Sequence, residues 1–355
     1  MKVDLATLLQ NAVNTESPDL HLQVGQPPVI RLNTGELSVF QEVDPLTKED
    51  IEAIIEDITT SAQRDMFKKD YQVDFSYSFG EMSRFRVNVF QEQHGPSLSL
   101  RVISSHVPSL EEIGLGETAK SLAMLSNGLI LVTGATGSGK STTLASMVNY
   151  INENRNCHII TIEDPIEYTY HSKKSLITQR EINVHTHTFA QAIRGALRQD
   201  PDVVMVGEMR DLETIAAAIT LAETGHLVLA TLHTRDAAQT VNRMIDVFPA
   251  DQQQQIRIQL SAGLKAVISQ TLVPKATGGG RVAAREVMLV NDGVRNCILN
   301  AQTNQIYSII QISSAEGMVL MDKALEDLYR SNEITLEQAL GRAMDRVSLE
   351  QRLRG

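Results

Sequence analysis

The stretch GLILVTGATGSGKSTTLASMVNYINEN, Gly128 to Asn154, decides the fold. It begins as an apolar, strand-like run, GLILVT. It then passes through GATGSGKS, Gly134 to Ser141, and continues with helical character. The middle fits G-x-x-x-x-G-K-[ST], and a strand before and a helix after are the context that pattern requires. Its glycines let the loop wrap with N–H groups turned inward. Those donors, with the helix N-terminus behind them, favour phosphate oxygens. Gly134, Thr136, Gly137, Ser138, Gly139, Lys140, Ser141 and Thr142 are therefore the candidate nucleotide-binding residues. Lys140 is expected to neutralise the β- and γ-phosphates, Ser141 to hold Mg²⁺ through its hydroxyl, and Thr142 to cap the same turn.

Working outward, apolar strands alternate with longer helical runs: CHIITIE, TFAQAIRGALRQ, DVVMVGE, LETIAAAITLAE, HLVLATL and DAAQTVNRMIDVF. Such alternation predicts a parallel sheet covered on both faces. The end of the chain reads as mostly helical. Upstream the pattern differs. VDLATLLQNAVN sets Leu5, Leu8, Leu9 and Val13 at helical spacing. DLHLQVG and PPVIRLN alternate like strands, with NTGEL as a turn after the second. A helix start near Thr47 leads into Ile51, Ile54, Ile55 and Ile58. VDFSYSF, RFRVNVFQEQ and SLSLRVI then read as three consecutive antiparallel strands. The expected organisation is an α+β domain over residues 1–105, a linker over 106–118 around SSHVPSLEEIGL, and an α/β P-loop domain over 119–355.

Five groups of charged or titratable residues accompany the loop. DPDVVMVGEMRD ends an apolar strand in Gly207 and Glu208. An acid at the tip of a buried strand is costly unless a cation meets it. Glu208 is expected to face Mg²⁺ through water or to hold the attacking water; the alternative is a surface carboxylate paired with Arg210. In IITIEDPIEY, Glu163, Asp164 and Glu167 follow another strand that Pro165 stops. Three neighbouring carboxylates make sense beside a divalent cation or a water at the γ-phosphate. Glu163 is the first candidate to polarise that water, and Glu167 the second. His226 and His233 bracket TGHLVLATLHT, seven apart and so a poor metal pair. Either is a candidate phosphate sensor or an ordinary turn histidine. Arg194 and Arg198, four apart on one helix face, could meet acids of a neighbouring strand. Arg84 and Arg86 share a strand face by parity, and Arg101 lies on the strand that follows. These three could reach a nucleotide held by another subunit, as exposed strand arginines otherwise would not.

Composition narrows the class. The net charge of −11 argues against a nucleic-acid motor, which ordinarily carries a basic face. The two cysteines, Cys157 and Cys297, stand far apart without a CxxC, so neither a disulfide framework nor a zinc site is expected. The apolar runs are too short to span a bilayer, and MKVDLATLLQ lacks a secretory h-region. The expectation is a cytoplasmic protein.

Taken in order, these motifs resemble the secretion-superfamily ATPases, and closely the PilT kind of type IV pilus retraction ATPase. SPDLHLQVGQPPVIR resembles the opening of their PAS-like N-terminal domain, and RFRVNVF their arginine-bearing strand. LVTGATGSGKSTTLA is similar to their Walker A, and TIEDPIEY to their acidic box. LRQDPDVVMVGEMRDLETI is similar to their atypical Walker B, and TGHLVLATLHT to their histidine box. AVISQTLVPK and GGGRVAAREVML also fit. The resemblance implies a PAS-like α+β domain and a RecA-like P-loop domain, ATP and Mg²⁺, and a homohexameric ring. In it Arg84, Arg86 or Arg101 acts on a neighbour's nucleotide. It also implies an inner-membrane pilus platform protein as partner, with cytoplasmic, peripheral attachment at the pilus base, and a paralogous retraction ATPase as a further candidate partner. Missing cysteines favour the retraction branch over the zinc-bearing extension relatives. One departure stands out: the family's Ala-Ile-Arg-Asn-Leu-Ile-Arg motif reads GVRNCIL, with Arg295 and Asn296 kept and Leu299 in place of the second arginine. This leaves open an accessory or diverged motor.

Overall fold

Residues 4–15, 19–32, 36–40, 43–80, 83–103 and 106–354 are described by a computed structural model. Val3 of the first expected helix, Asn33 to Gly35 of the expected turn, and Ser104 and Ser105 at the head of the expected linker lie outside them. The chain divides into two units, Met1–His106 with Pro165–Thr169, and Val107–Asp164 with Tyr170–Gly355.

In the first unit, α1 (Leu5–Asn14) precedes β1 (Asp19–Leu22), β2 (Val29–Arg31) and β3 (Leu37–Val39). Helices α2 (Lys48–Ile58) and α3 (Ser61–Asp70) follow, then β4 (Gln72–Phe79), β5 (Ser83–Glu92) and β6 (Gly95–Ile103). Thr47 starts α2 through a reciprocal cap, its hydroxyl accepting from Asp50 N while the Asp50 carboxylate accepts from Thr47 N. Among the described residues the strands form one antiparallel sheet in the order β3-β2-β1-β6-β5-β4. Its period of two separates the faces. Leu20, Leu22, Leu98, Leu100, Phe85, Val87 and Val89 pack with Leu8, Leu9 and Ala12 of α1 and the four isoleucines of α2. On the other face the register sets Arg31, Asp19, Arg101 and Arg86 in one row across β2, β1, β6 and β5.

The second unit holds α4 (Glu117–Ala123), β7 (Gly128–Thr133), α5 (Lys140–Asn154), β8 (His158–Glu163) and β9 (Leu176–Glu181). It continues with α6 (Phe189–Ala196), β10 (Val203–Val206), α7 (Leu212–Glu223), β11 (Leu227–Leu232), α8 (Ala237–Asp246) and α9 (Gln253–Gly263). Next come β12 (Leu264–Pro274), β13 (Arg281–Leu289), α10 (Asp292–Leu299), α11 (Ile306–Ile312), α12 (Met321–Arg330), α13 (Leu336–Leu340) and α14 (Arg346–Arg354). The strand order is β13-β12-β7-β11-β10-β8-β9, with every pair parallel except β12 with β13. Strands β7, β10 and β11 are buried along their whole length, because both faces are covered. Leu129, Leu131, Val204, Val206, Val228 and Ala230 feed the core on one side. Ile130, Val132, Val203, Met205, Leu227 and Leu229 feed the other. This α/β class is the one expected. The Glu208 strand does not lie directly beside the phosphate-loop strand: β11 stands between β7 and β10.

Glu286 of β13 is a buried joint in this unit. Its carboxylate accepts from Ala237 N at 2.8 Å, at the first turn of α8, and from the backbone of Met321 at the start of α12. Burial pushes its pKa up to about 7, and nearby Asp236 and Asp322 push the same way. The folded state therefore keeps a proton that the unfolded chain gives up near pH 4.5. Stability should fall as pH rises from that value through about 7, by on the order of 3 kcal/mol at most. Glu286→Gln keeps the acceptor for Ala237 N, so its melting temperature should exceed that of the unsubstituted chain at pH 8 and match it near pH 5. Melting curves across that range check this.

Candidate functional site

The phosphate loop is shaped by three glycines at left-handed φ: Gly134 at +142°, Gly137 at +76° and Gly139 at +86°. A Cβ at Gly134 would stand 2.3 Å from Gln270 O and 2.6 Å from Ser138 Oγ, so only glycine fits. Lys140 folds back to donate to Gly134 O and Ala135 O, both at 3.0 Å. Gln270 of β12 clamps the loop from outside. Its amide nitrogen donates to Ser138 O at 2.6 Å, and its carbonyl accepts from Thr143 Oγ1 at 2.8 Å. Gly139 is the N-cap of α5 and, having no side chain, makes no cap hydrogen bond of its own. The leading N–H groups are thereby left to an anion. Ser138 Oγ is buried with no hydrogen-bond partner, a second polar group aimed into the cradle. Thr136, Gly137 and Ser141 are exposed at its rim.

The parallel strands deliver the other groups to the same, carboxyl edge. Gly207 follows β10 where a Cβ would come within 3.3 Å of Ile162 O and 3.4 Å of Glu163 Cα. Its missing side chain lets the tips of β10 and β8 approach, which is why a glycine precedes the acid. Glu208 is met by Arg210 and lies 3.5 Å from His233 Nε2. The Arg210 partnership is the alternative weighed from sequence, and His233 joins it. Burial, then the charges of Lys140 and Arg210, pull the His233 pKa down, so the imidazole is neutral at pH 7. Thr231 Oγ1 donates to Gly207 O at 2.5 Å and Met209 N to Thr231 O at 3.0 Å, locking this corner. His226 stands at the opposite end of β11, its Nδ1 against Leu221 O and Thr224 Oγ1. The structure does not bring it to the loop.

Glu163 is buried at the end of β8 and accepts from Thr161 Oγ1 at 2.7 Å and Gln179 Nε2 at 3.3 Å. Its register partner on β9 is Glu181, also buried. Like charges directly opposite each other destabilise a sheet. Register sets Glu181 beside the candidate Glu163, a placement that local sequence reading missed. Glu167 falls in the first unit, with Pro165–Thr169, whereas Glu163 and Asp164 fall in the second. In the first unit the hydrogen bond Arg101 donates to Asp19, with the charges of Asp19 and Glu167, holds the Arg101 pKa above its usual value. Arg101 Nε lies 2.7 Å from Asp19 Oδ1, and Arg31 lies 3.7 Å from the same carboxylate. Arg86, directly opposite Arg101, reaches Asp74 only at 4.0 Å. Arg84 shares this face. Arg194 pairs with Glu213 in the first turn of α7, an exposed partner on a helix and not on a neighbouring strand.

A glycine cradle, an uncapped helix, a lysine and strand-tip acids define a P-loop nucleotide hydrolase. The family model described as type II/IV secretion system protein matches residues 2–352, and the chain belongs to that family. It is 46% identical to the type IV pilus retraction ATPase PilT of Pseudomonas aeruginosa, over 96% of this chain and 98% of that one. It is 48% identical to a twitching motility protein of Neisseria gonorrhoeae, over 97% of this chain and 91% of that one. A crystal structure of the pilus retraction motor PilT with bound ADP superposes with a TM-score of 0.92 at 43% identity, covering 98% and 99% of the two chains. This is a PilT-like ATPase. No helix among the described residues is long and apolar enough to cross a membrane.

Proposed function

We propose that this chain is a hexameric cytoplasmic motor that hydrolyses ATP to retract type IV pilus filaments, docked on an inner-membrane platform protein. The observation that carries this is the phosphate loop with Glu163, Glu208 and His233 at one sheet edge, in a chain nearly half identical to retraction ATPases. The loop N–H groups and Lys140 bind the triphosphate and offset its charge. Glu163, oriented by Thr161 and Gln179, takes a proton from the attacking water. Glu208 and neutral His233, 3.5 Å apart, form a pair that responds to occupation of the γ-phosphate position. Arg84, Arg86 and Arg101 meet the nucleotide of the adjoining protomer, where such arginines stabilise charge in the transition state.

Mg²⁺ fits this oxygen donor set. Among the described residues no group of three or more His, Cys, Asp or Glu forms a cage, which suits an ion carried mainly by phosphate oxygens and water. Ser141 and Glu208, the latter through water, would hold it. When bound it neutralises phosphate charge.

Arg295 supports a second reading, an accessory motor working with a paralogue. It is anchored to Ser261 O at 3.1 Å and Asp292 at 2.5 Å, while Leu299, at the end of α10, offers no second cation. Deleting the gene is expected to leave cells hyperpiliated and without surface motility, and the unsubstituted gene to restore them. Bald cells would assign the chain to extension instead. A mild phenotype that Leu299→Arg converts into stronger retraction would favour the accessory reading.

A further inference from the structure

Arg285 of β13 is a half-buried cation that no part of the site described above uses. Its Nε is buried without a hydrogen-bond partner. Burial alone, with no carboxylate offsetting it, pulls its pKa down to about 10. Its sequence neighbour Glu286 projects to the opposite face and is taken up by Ala237 N. A half-buried guanidinium with a buried, unpartnered Nε and no carboxylate beside it calls for a reason.

Its surroundings supply one. Arg285 is the direct register partner of Gln270, the residue that clamps Ser138 and Thr143. Opposite residues of an antiparallel pair share a face, about 5 Å apart. Leu272, two residues along β12 on that face, comes within 3.8 Å of the position a Cβ on Gly139 would take. From the other side, the turn of Gly114, at φ +71°, lies over the guanidinium. A Cβ there would stand 3.7 Å from Arg285 Nη1, and the turn is closed by Leu115 N donating to Leu110 O at 2.8 Å. The sheet order then gives direction. Glu163, Glu208 and His233 end β8, β10 and β11, all on one side of β7, and so mark where the γ-phosphate points. The nucleoside must leave the loop toward the other side, where β12 and β13 lie.

We propose that Arg285 grips the nucleoside of the bound nucleotide, donating from its guanidinium to acceptors of the ribose or base beside Leu272 and the Gly114 turn. This rests on the phosphate-loop reading above. Planar, multiply donating and weakly hydrated, an arginine suits such a partly buried polar contact.

Calorimetric titrations of the full-length chain with ADP and with inorganic tripolyphosphate test it. In Arg285→Met, which keeps an apolar stem and removes the cation, ADP affinity should fall roughly 10- to 100-fold. Tripolyphosphate affinity should match the unsubstituted chain. KM for ATP should rise with kcat within about threefold, and the ligand-free melting temperature should not drop. Arg285→Lys keeps the charge without the fork and should show a smaller loss of the same selectivity, which gives a second reading if the methionine variant is poorly folded. Unchanged ADP affinity, or equal loss for ADP and tripolyphosphate, would overturn the proposal. Failure of the unsubstituted chain to bind either ligand would overturn the phosphate-loop reading itself.

Discussion

Lys140→Ala is expected to lower ATP turnover by about a hundred- to a thousandfold while the chain stays folded. The ammonium lies inside the loop, against Gly134 O and Ala135 O, and is largely buried. In the cradle it is the nearest cation to where phosphate charge must sit. Alanine leaves the glycine geometry and the Gln270 clamp intact, so melting temperature should shift by a few degrees at most. Steady-state phosphate release checks the first expectation and thermal melting the second. Retained turnover in the folded variant would remove the phosphate assignment.

Arg101→Ala is expected to reduce kcat by about a thousandfold with a much smaller change in KM. The reasoning starts from cost. Arg86 and Arg101 face each other across β5 and β6, an arrangement that destabilises a sheet. Asp19, only 7% exposed, fixes Arg101 by hydrogen bonds and has Arg31 on its other side. A row held this way presents positive charge in a set direction, which a strand needs only if an anion is to meet it. Removing Arg101 leaves Asp19 with Arg31, so the unit should remain folded. Turnover close to that of the unsubstituted chain would mean the row is ordinary sheet surface.

Much of this was legible in the sequence because it is local. The strand, loop and helix around GATGSGKS are contiguous, and their pattern carries its own confirmation. The period-two alternation of RFRVNVF put Arg84 and Arg86 on one face, and the isoleucines of α2 declared its buried stripe. What stayed hidden depends on which strands become neighbours. Placing β11 between β7 and β10 is a matter of sheet order, which no local period records. The pairings Arg86 with Arg101 and Glu163 with Glu181 come from register between separate strands. The acids of IITIEDPIEY are adjacent in sequence, yet Glu163 and Glu167 are assigned to different units, a division that long-range packing sets and no local pattern records. Gln270 and Arg285 sit in AVISQTLVPK and GGGRVAAREVML, runs that sequence reading gave no role beyond family likeness, and only their contacts with Ser138 and Gly114 single them out.

The claim on which the motor reading turns is that each active site takes its lysine from one protomer and its arginines from the next. Co-expressing Lys140→Ala chains with chains carrying Arg84→Ala, Arg86→Ala and Arg101→Ala tests it most directly. Each variant alone should be inactive. Mixed assemblies should regain a substantial fraction of ATP turnover, because lysine-bearing loops then face neighbours that keep their arginines. Mixed assemblies as inactive as either parent, at matched hexamer content, would contradict it.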